Sequence, residues 1–453
     1  MTGTVLRGRT LSFRRQPESA DDNDFFDYQA DGAIAVDAHG RIAAAGDATS
    51  VLAAHPDWRM TDHRPYLLMP GFIDPHVHFP QVQIVASPAP DLLAWLNTYT
   101  FPAEAAFADE AHADAMAPRF LDRLLENGTT SAAVYGSVHP ASVRSLVNAA
   151  AARDMSLIAG KPMMDTNVPE AVRDTAEQGA RETDDLIRWQ SQREGAARQE
   201  IAITVRFAVT SSAAQLAAAG ELSQQYPDAA IQTHLSENDA EIAEVARRFP
   251  DARDYTDVYD RAGLLCERTL LAHCLHLSDR ECAVLSERGS VAVACPTSNL
   301  FLGSGLFDAM RLAKHGVRQA LATDIGGGTS YSMLRTLDEM FKVSQLRGTV
   351  TPPLHGFCQA TLGNAMAMGR DGEIGSLTRG HYADVIALDA AATPAMALRM
   401  ERAESLEEEL MVLQTMGDDR SVVATYVAGK QAAPQRAGRV ERAYKLDVMP
   451  PST

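Results

Sequence analysis

The sequence predicts an α/β protein, a (β/α)8 TIM-like barrel with a small β-sandwich domain built from both chain ends. Eight short apolar runs alternate with helix-type stretches in the middle of the chain, and strand-and-turn patterns recur at both ends. The 453 residues, 46% of them hydrophobic, can bury a large core. We expect residues 1–69 and 376–453 to form the two parts of the small β domain, and residues 70–375 to form the barrel.

Each of the eight runs has the length and composition of a buried parallel strand. The runs begin at Leu67, Thr129, Ser156, Ile201, Ala229, Arg268, Ser290 and Val317. After the sixth run, Ser278 and Glu281 have the spacing of a capping box, which predicts the start of a helix there. An open doubly wound sheet is the alternative, but the first run is not followed by the GxGxxG phosphate turn of such sheets.

The two chain ends show the alternation of short strands. The stretch "GAIAVDAHGRIAAAG" is typical of a hairpin whose turn lies at residues 37–40. The stretches "HYADVIALD" and "VVATYVAGKQA" repeat this pattern near the other end. We expect the two ends to meet in one small sheet domain.

The charge and cysteine content argue against several classes of protein. Lys and Arg number 41 against 59 Asp and Glu, a net charge of −18, so a basic surface for nucleic acid or an anionic membrane is not expected. No window approaches the length of a membrane span, and the first residues lack the apolar run of a signal peptide. The 5 cysteines include no CxxC pair, which argues against a disulfide framework. We expect a cytoplasmic protein.

Four histidines and one aspartate fall at the predicted carboxyl ends of strands, where barrels of this class place their active sites. His76 and His78 are two residues apart on the first strand and therefore point to the same side. The fifth strand ends at His234, the sixth carries His273 and the eighth ends at Asp324. Any one of these histidines alone is more simply explained as an ordinary polar or packed residue. The full set suits a divalent metal such as zinc.

Other polar residues lie near this predicted metal site. Glu237 follows His234 by three residues and is placed to act as a general acid, although it also suits a helix N-terminus. Gln81 follows His78 by three residues, and its amide is suited to hydrogen-bond with the polar edge of a ring. The alternative is that Gln81 is an ordinary solvated loop residue. Arg206 and Phe207 are suited to fix a carbonyl oxygen and to stack on a planar ligand. Their alternative is a buried Arg–carboxylate pair beside a core phenylalanine.

The stretch "MPGFIDPHVHFPQ" resembles the amidohydrolase superfamily, which carries a His-x-His after its first barrel strand. The chain is most similar to the guanine deaminases within it, and the shared stretches cover most of residues 65–380. They include "LLAWLNTYTFPAE", "NGTTSAAVYGSVHP", "QTHLSENDAEIAEV", "AHCLHLS", "CPTSNLFLGSGLF" and "ATDIGGGTSYSMLRTL". The combination of "HFPQ", "RF" and "HLSEN" is specific to this branch.

The resemblance implies hydrolytic removal of the 2-amino group of guanine, a small-molecule substrate, with xanthine and ammonia as products of purine catabolism. It implies one Zn²⁺ per chain, a zinc site that matches His76, His78, His234, His273 and Asp324, and commonly a homodimer. The guanine site would comprise Gln81, Arg206, Phe207, His234, Glu237 and Asp324. The catalytic residues would be Glu237, Asp324 and His273. We expect Glu237 to protonate the purine ring, Asp324 to accept the proton of the attacking water, and His273 to position that water.

Five positions depart from the pattern of the guanine deaminases. The residues found there are Gly136, Pro162, Val205, Val209 and Ala294, where the family commonly has Cys, Val, Pro, Pro and His. None of the five is a predicted metal ligand, and we expect them to border the barrel mouth, which leaves the substrate range open. The sequence also leaves open the choice between zinc and iron. The alternatives are a related hydrolase for another aminated or halogenated heterocycle, such as a pterin, triazine or pyrimidine, and a catalytically silent barrel that serves as a scaffold.

Overall fold

The structure is a computed structural model that describes residues 3–433, except residues 20, 90 and 196. The outer ends of the predicted β domain, residues 1–2 and 434–453, lie outside this part of the chain. The strands, in chain order, are β1 (Thr4–Phe13), β2 (Phe26–Val36), β3 (Ile42–Asp47), β4 (Arg59–Pro70), β5 (Phe72–His78), β6 (Thr129–Tyr135), β7 (Ser156–Gly160), β8 (Pro162–Met163), β9 (Gln199–Ile201), β10 (Ile203–Val205), β11 (Ile231–Leu235), β12 (Thr269–His273), β13 (Val291–Ala294), β14 (Arg318–Leu321), β15 (Val385–Leu388), β16 (Val422–Val427) and β17 (Lys430–Ala433).

The helices follow the strands in alternation through the middle of the chain. They are α1 (Ala48–Ala54), α2 (Leu92–Trp95), α3 (Phe101–Ala105), α4 (Glu110–Glu126), α5 (Pro140–Ala151), α6 (Ala176–Ser191), α7 (Ala213–Gln225), α8 (Asp239–Arg248), α9 (Tyr255–Arg261), α10 (Asp279–Arg288), α11 (Pro296–Phe301), α12 (Ala309–Lys314), α13 (Met333–Leu346), α14 (Pro353–Cys358), α15 (Asn364–Ala367), α16 (Pro394–Met400) and α17 (Leu406–Met416). The capping box predicted at Ser278 and Glu281 is present at the start of α10. In the part of the chain described above, no helix combines the length and the apolar character needed to cross a bilayer.

One sheet joins strands from the two ends of the chain, in the order β17-β16-β15-β4-β1-β2-β3. The connection between the ends is the antiparallel pairing of β15 with β4, in which Val385 lies opposite Pro70. The predicted hairpin is β2 and β3, whose turn places Gly40 at a φ of +73°. A Cβ atom at Gly40 would lie 2.3 Å from the carbonyl oxygen of Ala428, so only glycine fits this turn.

The remaining strands form two parallel sheets, β5-β6-β7-β9 and β14-β13-β12-β11-β10-β8. Single residues separate β7 from β8 and β9 from β10, so the third and fourth predicted strands run from one sheet into the other. At the opposite seam, Asp324 N donates to His76 O at 3.0 Å and His78 N donates to Ile325 O at 2.5 Å. Helices cover the outside of this wall, and the predicted α/β fold class with a TIM-like barrel is confirmed.

The first apolar run differs from its prediction as one barrel strand. Residues 67–70 belong to β4, and the barrel strand β5 begins after a break at Gly71. A Cβ atom at Gly71 would lie 2.2 Å from Thr130 Oγ1, so the chain passes close to β6 at this break. Because β4 and β5 are both buried at this point, the apolar run continues through the break and hides it.

Candidate metal centre and active site

The barrel strands bring the five predicted metal-binding side chains together at their carboxyl ends. His76 and His78 lie in β5, His234 in β11 and His273 at the end of β12, while Asp324 follows β14. All five side chains are buried. The parallel register that places Leu235 opposite His273 brings β11 and β12 to the same height in the wall.

The side-chain atoms converge on one small volume. The Nε2 atom of His78 lies 3.2 Å from the Nε2 atoms of both His76 and His234. Asp324 Oδ1 lies 3.3 Å from His76 Nε2 and 3.4 Å from His78 Nε2. His273 Nε2 lies farther away, 3.8 Å from Asp324 Oδ2.

Hydrogen bonds on the far side of two rings fix their orientation. His234 Nδ1 donates to the backbone carbonyl oxygen of Arg206 at 2.6 Å, and His273 Nδ1 donates to Asn299 Oδ1 at 2.7 Å. Both rings therefore present the lone pair of Nε2 to the site. This arrangement is the one that metal-binding histidines commonly adopt.

The donor set fits a divalent metal. The Nε2 atoms of His76 and His234 each lie 3.2 Å from His78 Nε2, close enough for the three rings to share one ion. A tetrahedral site with ligand bonds of about 2.0–2.1 Å has its ligand atoms about 3.3 Å apart, which matches these separations. His76, His78 and His234 form one possible group of ligands, and His76, His273 and Asp324 form another.

Burial keeps the imidazoles neutral and the surrounding hydrogen bonds keep the aspartate ionised. Burial lowers the pKa of His76, of His234 and of His78, the last to about 3. Burial alone would raise the pKa of Asp324, but hydrogen bonds with His76 and His78 hold it well below its usual value. Neutral imidazole and ionised carboxylate are the forms that bind metals.

The backbone turns sharply where the strands end. Ser236 and Cys274, the residues that follow His234 and His273 by two and by one, have φ values of +51° and +55°, and Asp324 itself has a φ of +51°. The left-handed conformation costs a residue other than glycine about 1–3 kcal/mol and is concentrated at functional sites. These turns aim the ends of three strands into the barrel mouth.

Glu237 lies beside the histidine cluster. Its Oε2 atom is 3.2 Å from His273 Nε2, and its Oε1 atom accepts a hydrogen bond from Ser304 Oγ at 3.1 Å. Burial, with the charge of Asp324, raises the pKa of Glu237 to about 8, which favours the protonated carboxyl group. The alternative role at a helix N-terminus belongs to Asn238, which is the N-cap of α8.

Gln81, Arg206 and Phe207 line the same cavity as these ionisable groups. Further walls come from α2 and its continuation, and from the end of α11, through Leu92, Trp95, Leu96, Ser298 and Leu302. The Phe207 ring centroid is 6.2 Å from that of His234. Of the nine predicted site residues, eight line this cavity, and the ninth, His76, lies in the adjoining cluster of possible metal ligands.

Arg206 also fulfils the alternative interpretation of a buried ion pair. Its Nη1 atom donates to Glu104 Oε1 at 2.6 Å, and Gln81 Nε2 donates to the same oxygen at 3.0 Å. Glu104 is fully buried in α3. The two interpretations of Arg206 are therefore compatible, because one guanidinium both lines the cavity and pairs with a carboxylate.

The sequence patterns did not reveal Glu104, Asn299 or Ser304 as parts of the site. Glu104 lies in "TFPAE" and Asn299 in "CPTSN", so both belong to stretches shared with the guanine deaminases. Their partners are 23 or more residues away, however, and nothing in the local pattern links them.

Within the described residues, the cavity lining does not include the five departures from the family pattern, Gly136, Pro162, Val205, Val209 and Ala294. Gly136, Val205 and Ala294 stand at the carboxyl ends of β6, β10 and β13, and the expectation that the five positions border the mouth stays a prediction. At position 136, a Cβ atom would lie 2.8 Å from Val143 Cγ2, so a larger residue would require its neighbours to move. Packing against α5 therefore restricts the residue at position 136.

Comparison with known proteins gives a consistent result. The model of the amidohydrolase family matches residues 67–432. A curated guanine deaminase of Escherichia coli (strain K12) is 44% identical over 373 residues, 82% of this chain and 84% of that protein. The solved E. coli guanine deaminase superposes with a TM-score of 0.91 at 40% identity, covering 94% of this chain and 99% of that one. A guanine deaminase from C. acetobutylicum with bound guanine in the active site has a TM-score of 0.84 at 27% identity, covering 95% and 100% of the two chains. The resemblance carried by the sequence motifs is confirmed, and the chain belongs to the amidohydrolase family.

Proposed function

We propose that this protein catalyses the hydrolytic deamination of guanine to xanthine and ammonia in purine catabolism. One observation carries the proposal: a cavity lined by Gln81, Arg206 and Phe207 opens onto a buried cluster of imidazoles with two carboxyl groups, Glu237 and Asp324. The 44% identity to a protein named guanine deaminase, over most of both chains, supports it.

The metal of this proposal is zinc, one ion per chain, held by His76, His78, His234, His273 and Asp324. Imidazole nitrogens with one carboxylate are suitable ligands for zinc. A divalent metal bound there supplies a hydrolytic nucleophile at neutral pH.

The protein residues supply the proton transfers. Asp324 accepts the proton of the attacking water, and Glu237 donates a proton to the purine ring nitrogen next to the carbon under attack. His273 contacts Glu237 and lies near Asp324, so it positions both the water and the acid. The proton held by Asp324 then passes to the amino group, directly or by way of Glu237, and the C–N bond breaks to release ammonia. As the new carbonyl forms, the added hydroxyl group gives up its proton and Glu237 is restored to its protonated form. General acid–base catalysis of this kind contributes about 10²- to 10⁴-fold in rate.

The other cavity residues hold the purine. Arg206 donates hydrogen bonds to the ring carbonyl oxygen, Phe207 packs against the planar ring, and the Gln81 amide contacts a polar edge. Leu92, Trp95 and Leu96 close the apolar side of the cavity and exclude water.

We also propose that the protein works in the cytoplasm as a homodimer, without nucleic-acid or membrane partners. The 5 cysteines, Cys266, Cys274, Cys282, Cys295 and Cys358, are all free, which suits a reducing compartment. The dimer follows from the resemblance to the guanine deaminases, and light scattering on purified protein tests it directly.

The decisive experiment is a substrate panel. Metal-replete protein is incubated with guanine, adenine, a pterin, an aminotriazine and an aminopyrimidine, and the ammonia released is measured. We expect guanine to give by far the highest kcat/KM. A higher value for another heterocycle would assign that substrate instead, and the absence of any turnover would favour a silent scaffold.

A further inference from the structure

We propose that Glu104 is a positioning residue that sets the hydrogen-bonding pattern of the substrate cavity through Gln81 and Arg206. The inference rests on the proposed deamination of guanine. Glu104 stands behind the cavity wall, fully buried, and a single oxygen, Oε1, accepts from both Gln81 Nε2 and Arg206 Nη1. One carboxylate thus controls two cavity residues that come from different strand ends.

The carboxylate fixes which way the Gln81 amide faces. If the amide were flipped, its oxygen would lie 3.0 Å from the Glu104 oxygen, and two acceptors would repel each other. The amide nitrogen therefore faces Glu104. Among the described residues, Gln81 Oε1 has no hydrogen-bond partner although it is buried. Because an unpaired buried acceptor is costly, this oxygen is available for an N–H group of the substrate.

Glu104 also fixes the orientation of the Arg206 guanidinium. Glu104 accepts a hydrogen bond from Nη1, one of the three guanidinium nitrogens, and the centroid of the Phe101 ring lies 5.7 Å from the guanidinium carbon. A guanidinium has five N–H donors, so several remain for the cavity that Arg206 lines. The pair compensates the buried positive charge while leaving those donors free to bind a carbonyl oxygen.

The result is a cavity that offers one acceptor and one charged donor in fixed positions. Guanine carries both the matching groups, N–H donors and a ring carbonyl oxygen. A carboxylate that served only to stabilise the fold would contribute to stability and not to this match. The difference between the two roles is measurable, because only the positioning role links Glu104 to the Michaelis constant and to Gln81.

The test is a double-mutant cycle on guanine turnover with Glu104→Gln, Gln81→Ala and the double variant. The neutral amide of Glu104→Gln has nearly the same shape but no longer compensates Arg206 or dictates the Gln81 orientation. We expect KM for guanine to rise about 10- to 100-fold, as for loss of a buried charged hydrogen bond, with a smaller change in kcat and with unchanged metal content. The loss in the double variant should be smaller than the product of the two single losses.

The matched control is Glu409→Gln, which breaks another fully buried Glu–Arg ion pair, between α17 and Arg9 of β1. This control should lower the melting temperature but leave KM for guanine unchanged. Should Glu104→Gln fold poorly, Glu104→Asp keeps the charge but is one methylene too short to reach both donors, and we again expect a raised KM.

The outcomes separate the two proposals. If the wild-type protein does not deaminate guanine, the proposed function fails. If it does, but Glu104→Gln or Glu104→Asp has the wild-type KM, or the losses of the cycle simply multiply, Glu104 is not a positioning residue.

Discussion

Glu237 illustrates how a single residue acquires its chemistry from its surroundings. The strand-ending turn at Ser236 directs it into the barrel mouth, and His273 and Ser304 contact its two oxygens. We expect Glu237→Gln to keep the fold and the metal but to lower kcat about 10²- to 10⁴-fold, because an amide cannot deliver the proton.

Steady-state kinetics together with elemental analysis measure this effect. The matched control is Glu281→Gln, which alters a buried carboxyl group in the capping box of α10 and should retain turnover. A Glu237→Gln enzyme with near wild-type kcat would remove this residue from the mechanism.

Arg206 is the residue expected to determine specificity under the proposed function. Its guanidinium is always charged and offers only donors, so we expect it to pair with the ring carbonyl of guanine and to oppose the amino group of adenine. A mismatch of this type discriminates by about 10⁴-fold where a site is built around the polar group. We expect guanine to be preferred by a factor of that order, and Arg206→Ala to weaken guanine use without loss of the metal.

The measurement is kcat/KM for both bases with the wild type and the variant. As a control, Arg311→Ala removes an arginine that pairs with Asp279 on the surface and should change neither value. Equal use of adenine and guanine, or a silent Arg206→Ala, would overturn this assignment.

At the scale of the elements, the pairing of β4 with its sheet gives a prediction about pH. His63 of β4 is buried, and its Nε2 atom lies 2.7 Å from the hydroxyl of Tyr426 in β16. Burial lowers the pKa of His63, so the folded protein keeps the ring neutral where the unfolded chain, with a histidine pKa of about 6.5, takes up a proton. Unfolding is therefore favoured by this group as the pH falls below about 6.5.

We expect the free energy of unfolding to decrease between pH 7.5 and pH 5, and the decrease to be smaller in His63→Gln. Urea unfolding at both pH values provides the comparison, with the exposed His39→Gln as the control. An identical pH dependence in His63→Gln and the wild type would show that folding does not lower the pKa of His63.

The helices and strands also show which structural features can be predicted from sequence patterns. Periodicity and apolar runs predicted the strands and the strand ends that carry His234 and His273, because residue spacing along a strand fixes which side a residue faces. The break at Gly71 was hidden, since both flanking strands are buried. The contact between Glu104 and Arg206 joins residues 102 apart in the chain, and such a pairing follows only from the packed barrel.

On the scale of the whole molecule, the two chain ends share one sheet that sits beside the barrel, through the pairing of β15 with β4. The strand-and-turn patterns at both ends of the chain predicted that they meet in one sheet. The division at residues 69/70 and 375/376 stays a prediction, and the polypeptide beyond residue 433 lies outside the described structure.

The metal centre links strands from opposite sides of the barrel, so the metal is expected to stabilise the whole protein. Folding places the Nε2 atoms of His76 and His234 each 3.2 Å from His78 Nε2, and a ligand that binds only the folded state raises its stability. We expect removal of the metal by a chelator to lower the melting temperature and abolish turnover, and one equivalent of zinc per chain to restore both.

Elemental analysis and differential scanning calorimetry on the same samples make this measurement. Addition of Mg²⁺, which prefers oxygen ligands, is the control and should not restore activity. Full guanine turnover by protein shown to be metal-free would contradict the proposed centre.

The hydrogen bond from His234 to the peptide carbonyl of Arg206 has an evolutionary consequence. Every amino acid carries that carbonyl, so the support it gives to the histidine does not depend on which side chain occupies position 206. A substitution of Arg206 can therefore change which ring substituent the cavity accepts, while His234 keeps this hydrogen bond. In a barrel organised in this way, the substrate can change during evolution without a change in the residues that carry out the hydrolysis.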